Sequence, residues 1–214
     1  MTDATSQSSH LRLAIALGVP SPSLSTLLAL QRAEEPDTTI AFFETSGDEL
    51  VTGLHEGRYD AGISLQNVSA STMKSQPLWS EGMAIAMPMR CPLLGQAKLT
   101  IAELLAYPIF RWQAETCPLL DQRLSSLMSA GKPDIVEYVT SFEMMALWVA
   151  AGYGVGVSAQ SRIEDAHGWG IGMRPLRDGP YEIVTYLQRP HGQTNSVSER
   201  FERRALQVAR AGAA

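Results

Sequence analysis

Residues 135–158, IVEYVTSFEMMALWVAAGYGVGVS, constrain the fold more than any other stretch of the chain. They read as strand, abrupt helix start, helix, glycine stop and second strand. Thr140 and Ser141 suit a helix N-cap, and Glu143, three places after Thr140, has the capping-box spacing. From Phe142 to Ala151 nearly every side chain is apolar, which predicts a helix buried on all faces between a sheet and other helices. Gly152 ends it. The run Tyr153-Gly154-Val155-Gly156-Val157 is β-prone, with glycines that let backbones approach closely. It follows a helix instead of opening one, so it is not a dinucleotide phosphate fingerprint. A strand that feeds a helix N-terminus leaves N–H groups and a positive dipole end free, and ligands of open α/β sheets gather at such ends. The stretch therefore predicts one wall of a ligand site, and the rest of the chain must supply the other.

The first third of the chain has the right elements for that wall. Leu11 to Leu17 reads as a buried strand, Ser21 as a helix cap and Pro22 as the first helical residue. Residues 38–44 form the next strand. Ser46 and Glu49 repeat the capping-box spacing and open a helix over 48–56 that Gly57 stops, and residues 59–65 are a third strand. This βαβαβ order, with right-handed crossovers, gives a parallel sheet with both helix starts at one edge. Residues 76–88 read as a strand, 100–106 as a short helix and 108–112 as the first strand of a second lobe. That lobe continues through a helix after Pro118 into 135–158. Strands at 173–176 and 182–188 and an amphipathic helix over 198–210 follow, with residues 199–204 expected as a solvated charged face of i,i+4 pairs. A returning last strand and helix would make the chain cross between lobes near Ala86 and near Val184. The resulting division is a disordered linker or arm over 1–10, lobe I from 11–86 and 185–214, and lobe II from 87–184.

Two such lobes fit the 214 residues, of which 45% are hydrophobic and 18% charged. A formal net charge of −5 argues against a nucleic-acid surface, which needs a basic patch. Two cysteines, Cys91 and Cys117, show no zinc-type pairing with the four scattered histidines His10, His55, His167 and His191. They read as inert thiols in a reducing compartment, and no metal or cofactor is expected. The first nine residues lack the basic and apolar regions of a signal peptide, and no apolar run reaches the ~20 residues that cross a bilayer. No nucleophile elbow or convergent acid and base is present, so catalysis is not expected.

The opening Leu11-Arg-Leu-Ala-Ile-Ala resembles one known family, as do Leu50-Val-x-Gly-Leu-x-x-Gly-Arg-Tyr-Asp60-Ala-Gly-Ile63, Cys91-Pro92-Leu93 and Val149-Ala-Ala-Gly152-Tyr-Gly154-Val. These motifs are similar to those of the effector-binding domain of LysR-type transcriptional regulators. Ser158-Ala159 depart from the proline common after the family's glycine-rich strand. The resemblance implies two Rossmann-like α/β lobes joined by two crossover strands, with a ligand cleft between them, the fold of type 2 periplasmic binding proteins. It implies a cytoplasmic regulatory module that senses a small-molecule effector, a carboxylate or other anion, and forms a homodimer or tetramer through lobe I. DNA would be bound only through a winged helix-turn-helix absent from this chain. The alternative is a solute-binding receptor of a transport system with the same fold.

By the same resemblance the effector contacts are Pro20, Ser21 and Ser23; Thr45 and Ser46; Gln66; Phe110, Arg111, Trp112 and Gln113; and Thr140, Ser141 and Phe142. Their chemistry suits that role, because N–H and hydroxyl donors at helix starts favour negative charge without needing deprotonation. Arg111 could pair with a carboxylate and Trp112 stack on a ring, or Trp112 could sit in the core. Each serine or threonine could equally serve only as a cap. The helix over 48–56 and its neighbouring strand could form a subunit surface, or Leu50, Val51 and Leu54 could simply fill the core.

Overall fold

The structure is a computed structural model describing residues 9–68, 70–111, 118–129, 136–139, 141–192 and 196–212. The predicted βαβαβ order appears as β1 (His10–Ala16), α1 (Ser21–Glu34), β2 (Thr39–Thr45), α2 (Gly47–His55) and β3 (Ala61–Ser64). β1 lies between β2 and β3 and runs parallel to both, with Ala16 opposite Thr45 and Ile15 opposite Ile63. β9 (Glu182–Pro190) then adds antiparallel to β3, and the closing helix α7 (Ser196–Gly212) packs against α1. Leu11, Leu13, Leu27, Leu50, Leu54, Ile63, Leu187 and Phe201 form the shared core. Leu50 and Leu54 are thus core residues of α2, the plainer of their two readings. Asp60 of the Tyr-Asp-Ala-Gly-Ile motif ties β3 to β1. Its carboxylate accepts from the Arg12 backbone N–H at 2.8 Å and from two nitrogens of the Arg12 guanidinium, Nε at 3.2 Å and Nη2 at 2.8 Å. Burial opposes ionisation of Asp60, and these bonds outweigh it, so its carboxyl titrates below the usual range.

The long strand β4 (Met73–Pro88) carries the chain onward. The molecule divides into unit 1, Met1–Trp79 with Val184–Ala214, and unit 2, Ser80–Ile183. The first change of unit therefore falls inside β4, earlier than Ala86, and the second inside β9.

In unit 2 the last part of β4 pairs antiparallel with β7 (Val155–Ala159) and with β8 (Ile171–Pro175). β5 (Ile109–Arg111) runs parallel to β7 and to β6 (Val136–Tyr138). The helices are α3 (Ile101–Leu104), α4 (Pro118–Ser129), α5 (Phe142–Ala150) and α6 (Gln160–Asp165). Ala84, Phe110, Phe142, Met145, Val149 and Ile163 belong to one core cluster. A complete capping box between Thr100 and Glu103 opens α3, and the Asp178 carboxylate accepts from the Ile101 N–H.

Three expectations need correction. α5 starts at Phe142 with Ser141 as its cap, the hydroxyl accepting from Met144 N–H at 3.1 Å, so Glu143 is the second helical residue and not the third, the place a capping box needs. Nor is α5 covered on all sides, since Leu147 is 61% and Trp148 40% exposed. Its C-terminus is a Schellman motif: Tyr153 N–H donates to Trp148 C=O, Gly152 N–H to Val149 C=O, and Gly152 takes the left-handed φ of 87° that the turn demands. Trp148 and Tyr153 meet edge to face at 5.0 Å, the apolar contact that accompanies such an ending.

The third correction concerns residues 199–204, which are not a solvated face. Arg204 is 8% exposed and donates to Gln31 and Glu34 of α1 and to Glu35 just after it, while Arg200 also pairs with Glu35. Glu202 is buried between Lys74 and Arg189.

Candidate functional site

In unit 1 the parallel register sets the C-terminal ends of β1, β2 and β3 side by side, so the segments that follow them emerge at one edge. After β1 comes the start of α1. Pro20, buried and extended at φ −65° and ψ 143°, occupies the N-cap position, and no side chain caps the helix. Ser21, expected to cap, is instead the first helical residue, exposed, and its hydroxyl closes no cap. A proline can supply the non-helical geometry of an N-cap but has no side-chain acceptor for the first N–H groups. Those donors of α1, with Ser21 and the half-buried Ser23 among them, therefore lack the usual local partner.

After β2 comes the start of α2. Thr45 ends the strand and its carbonyl accepts from Leu17 N–H at 2.9 Å. Ser46 caps α2, its hydroxyl accepting from Glu49 N–H at 3.2 Å, while the Glu49 carboxylate turns to Arg58 at 2.8 Å. After β3, Gln66 folds over this helix start. A Cβ at Gly47 would lie 2.9 Å from Gln66 Cδ, so the absence of a side chain at 47 lets the Gln66 amide rest on the first residue of α2. The structure thus brings Ser46 and Gln66 together, with Thr45 adjoining.

Sequence reasoning missed the residue behind this arrangement. Gln188 of β9 is fully buried and donates through Nε2 to Ser64 Oγ at 2.9 Å and to the Gln66 carbonyl at 2.7 Å. Ser64 Oγ also accepts from Gln66 N–H at 3.2 Å, so the Gln66 turn is held from two sides. One signal was available: Ile183, Thr185 and Leu187 alternate inward along β9, and a glutamine beside them follows the opposite face.

In unit 2 the ends of β5 and β6 are likewise in register, with Arg111 opposite Tyr138. The Arg111 guanidinium lies 4.8 Å from the Tyr138 ring centroid and donates to its hydroxyl. Phe110 and Phe142 are both buried, so their rings belong to the core. The Phe142 ring sits 6.1 Å from that of Trp169 and 5.5 Å from the Arg162 guanidinium carbon. Ser141, the cap of α5, follows β6 at the edge where Arg111 ends β5. Trp112, Gln113 and Thr140 lie outside the described residues, as does Cys117. Cys91 is a half-buried free thiol.

Unit 1 offers backbone N–H groups, hydroxyls and an amide at its sheet edge, and unit 2 a hydroxyl and one guanidinium at its own. Among the described residues no three His, Cys, Asp or Glu side chains are placed to hold a metal ion. No described helix is long and apolar enough to cross a membrane.

The family described as LysR substrate binding domain matches residues 4–210. Among solved structures, full-length BenM is 18% identical, with a TM-score of 0.81 over 96% of this chain and 69% of that one. The BenM effector binding domain with its effector benzoate is 18% identical, with a TM-score of 0.80 over 96% of this chain and 94% of that one. The effector binding domain of QuiR in complex with shikimate is 14% identical, with a TM-score of 0.80 over 95% of this chain and 98% of that one. Identities this low speak to fold alone. Among curated proteins no sequence matches the chain significantly.

Proposed function

The chain belongs to the LysR substrate binding domain family and has its type 2 periplasmic-binding fold, and from that premise we propose that it senses a small carboxylate or other anion. In this reading it is the regulatory module of a cytoplasmic transcription factor that acts as a homodimer or tetramer. DNA is contacted through a winged helix-turn-helix outside these 214 residues. One observation carries the proposal: in unit 1 two helix starts and the Gln66 amide emerge at one sheet edge. There the uncapped first turn of α1 offers N–H donors to an anion.

Unit 1 contributes Pro20, Ser21, Ser23, Thr45, Ser46 and Gln66. Unit 2 contributes Phe110, Arg111, Ser141 and Phe142, together with Trp112, Gln113 and Thr140. The role is recognition without turnover, because these donors supply no general base or nucleophile. Benzoate and shikimate, the ligands named for two structural neighbours, are both small carboxylates, which agrees with this chemistry.

A thermal-shift screen of the purified chain against a panel of small carboxylates tests the idea. At a hundredfold excess over Kd a true effector stabilises by about 2.7 kcal/mol, which for a chain of this size raises Tm by roughly 5–10 °C. Ser21→Ala and Gln66→Ala should weaken that shift while leaving the unliganded Tm nearly unchanged. If no carboxylate or other anion in a broad panel raises Tm, the proposal fails.

A further inference from the structure

Gln188 has no exposed surface, so no ligand reaches it, yet the helix-start edge of unit 1 is built over it. It stands opposite Gly62 in the ladder between β3 and β9. A Cβ at Gly62 would lie 2.5 Å from Leu50 Cδ2, so that face of the sheet is the one α2 covers, and Gln188 shares it. Its Nε2 donates to Ser64 Oγ and to the Gln66 carbonyl. Reversing the amide would set oxygen against that carbonyl, so the orientation is fixed. The cost falls on the other end of the amide. Among the described residues Gln188 Oε1 has no hydrogen-bond partner, and a buried acceptor without a donor is destabilising. The fold does not require this arrangement, because the Gln66 carbonyl also accepts from Ser64 Oγ at 3.2 Å. What the glutamine adds is a second anchor on the Gln66 turn, and Gln66 is the side chain that rests on the first residue of α2.

We propose that Gln188 is a positioning residue of the effector site, fixing Gln66 over the start of α2 so that its amide meets the ligand already ordered. The role rests on the reading of that edge as an anion-sensing site. A buried polar group that lowers stability is kept because a donor that need not be ordered on binding holds an effector more tightly.

The test uses the full chain and compares the native protein with Gln188→Met, which keeps the length of the side chain and removes its amide, with Gln66→Ala and with the double variant. Benzoate and shikimate serve as probes in calorimetric titrations. Kd for a bound probe should rise about tenfold in Gln188→Met, the worth of one hydrogen bond. Added to Gln66→Ala the same change should do nothing further, since Gln188 acts through Gln66. Tm should stay level or rise, which loss of an ordinary structural contact would not produce. Without ligand, NMR of the glutamine-labelled chain should show one sharp set of Gln66 side-chain amide signals in the native protein and broadened or multiple signals in Gln188→Met. Three results would overturn the proposal: a native Kd in Gln188→Met, additive losses in the double variant, or Gln66 signals that Gln188→Met leaves sharp. If no probe or other anion of the thermal-shift panel binds the native chain while the Gln66 signals still depend on Gln188, the hold on Gln66 stands and the anion-sensing reading is what fails.

Discussion

A Cβ at position 154 would stand 2.3 Å from the Pro108 carbonyl oxygen, where Val155 N–H donates to that same oxygen at 2.9 Å. The glycine of the Val-Ala-Ala-Gly-x-Gly string is therefore where the approach to β7 runs against the start of β5, the close backbone packing its sequence suggested. Gly154→Ala should destabilise by about 3 kcal/mol, since the contact is backbone and cannot turn aside. A lower urea midpoint at unchanged m-value would show it. Ser21 was less legible. A serine before a proline looks like a cap, and only the φ and ψ of Pro20 reveal that the helix begins one residue sooner. Glu35 was not legible at all. Burial alone would raise its pKa, but hydrogen bonds from Arg200, Arg204, Thr38 and Gln31 outweigh that and hold it at about 2, against an ordinary 4.5. Because the folded value is the lower one, this stabilisation is complete above pH 4.5 and is lost as pH falls toward 2. The stability advantage of the native chain over Glu35→Gln should accordingly shrink by roughly 2 kcal/mol between pH 6 and pH 2.5, read from urea unfolding at each pH. An advantage independent of pH would refute the assignment.

At the scale of elements, α7 and α5 show what local pattern can and cannot say. The charges of residues 199–204 have helical spacing, and spacing alone suggests pairs along the helix. Their partners Glu34 and Glu35 lie 165 to 170 positions away, a distance no local window spans. Arg204 is nearly covered while Arg200 is a third exposed, so the two should differ when removed. Arg204→Ala leaves Glu34 and Glu35 short of a counter-ion and should cost about 3 kcal/mol, whereas Arg200→Ala should cost less than about 1 kcal/mol. Equal losses would mean that burial does not set the strength of these pairs. α5 failed in the other direction. Its composition is apolar all round, yet Leu147 and Trp148 face outward, because composition cannot tell which side of a helix lacks a neighbour. The βαβ units, by contrast, were legible, since capping at Ser46, the glycine stops and the short strands β1 to β3 are all local signals that tertiary contacts then confirm.

For the whole molecule, the return of the chain to its first unit was read from the order of elements as one course the last strand and helix could take, since nothing local in β9 or α7 says which sheet they join. The structure gives that return a large share of the unit 1 core. Val197, Phe201 and Ala205 of α7 are buried with Leu27 of α1 and Leu187 of β9 in one cluster. Burial of a Val or Phe side chain contributes about 1.5–3 kcal/mol each. Losing those two, Ala205 and the Arg204 network together approaches the 5–15 kcal/mol that holds a typical domain folded. Truncation before Ser196 should therefore unfold unit 1. Unit 2 is a different case: its core cluster of Phe110, Phe142, Met145 and Val149 draws nothing from α7. Hydrogen exchange of the truncated chain should show the amides of β1, β2 and α1 fully exchanged within the dead time, while those of β7 and α5 keep measurable protection. Protection lost in both units at once would mean that they fold as a single cooperative body, and α7 would then be a support for the entire chain and not for unit 1 alone.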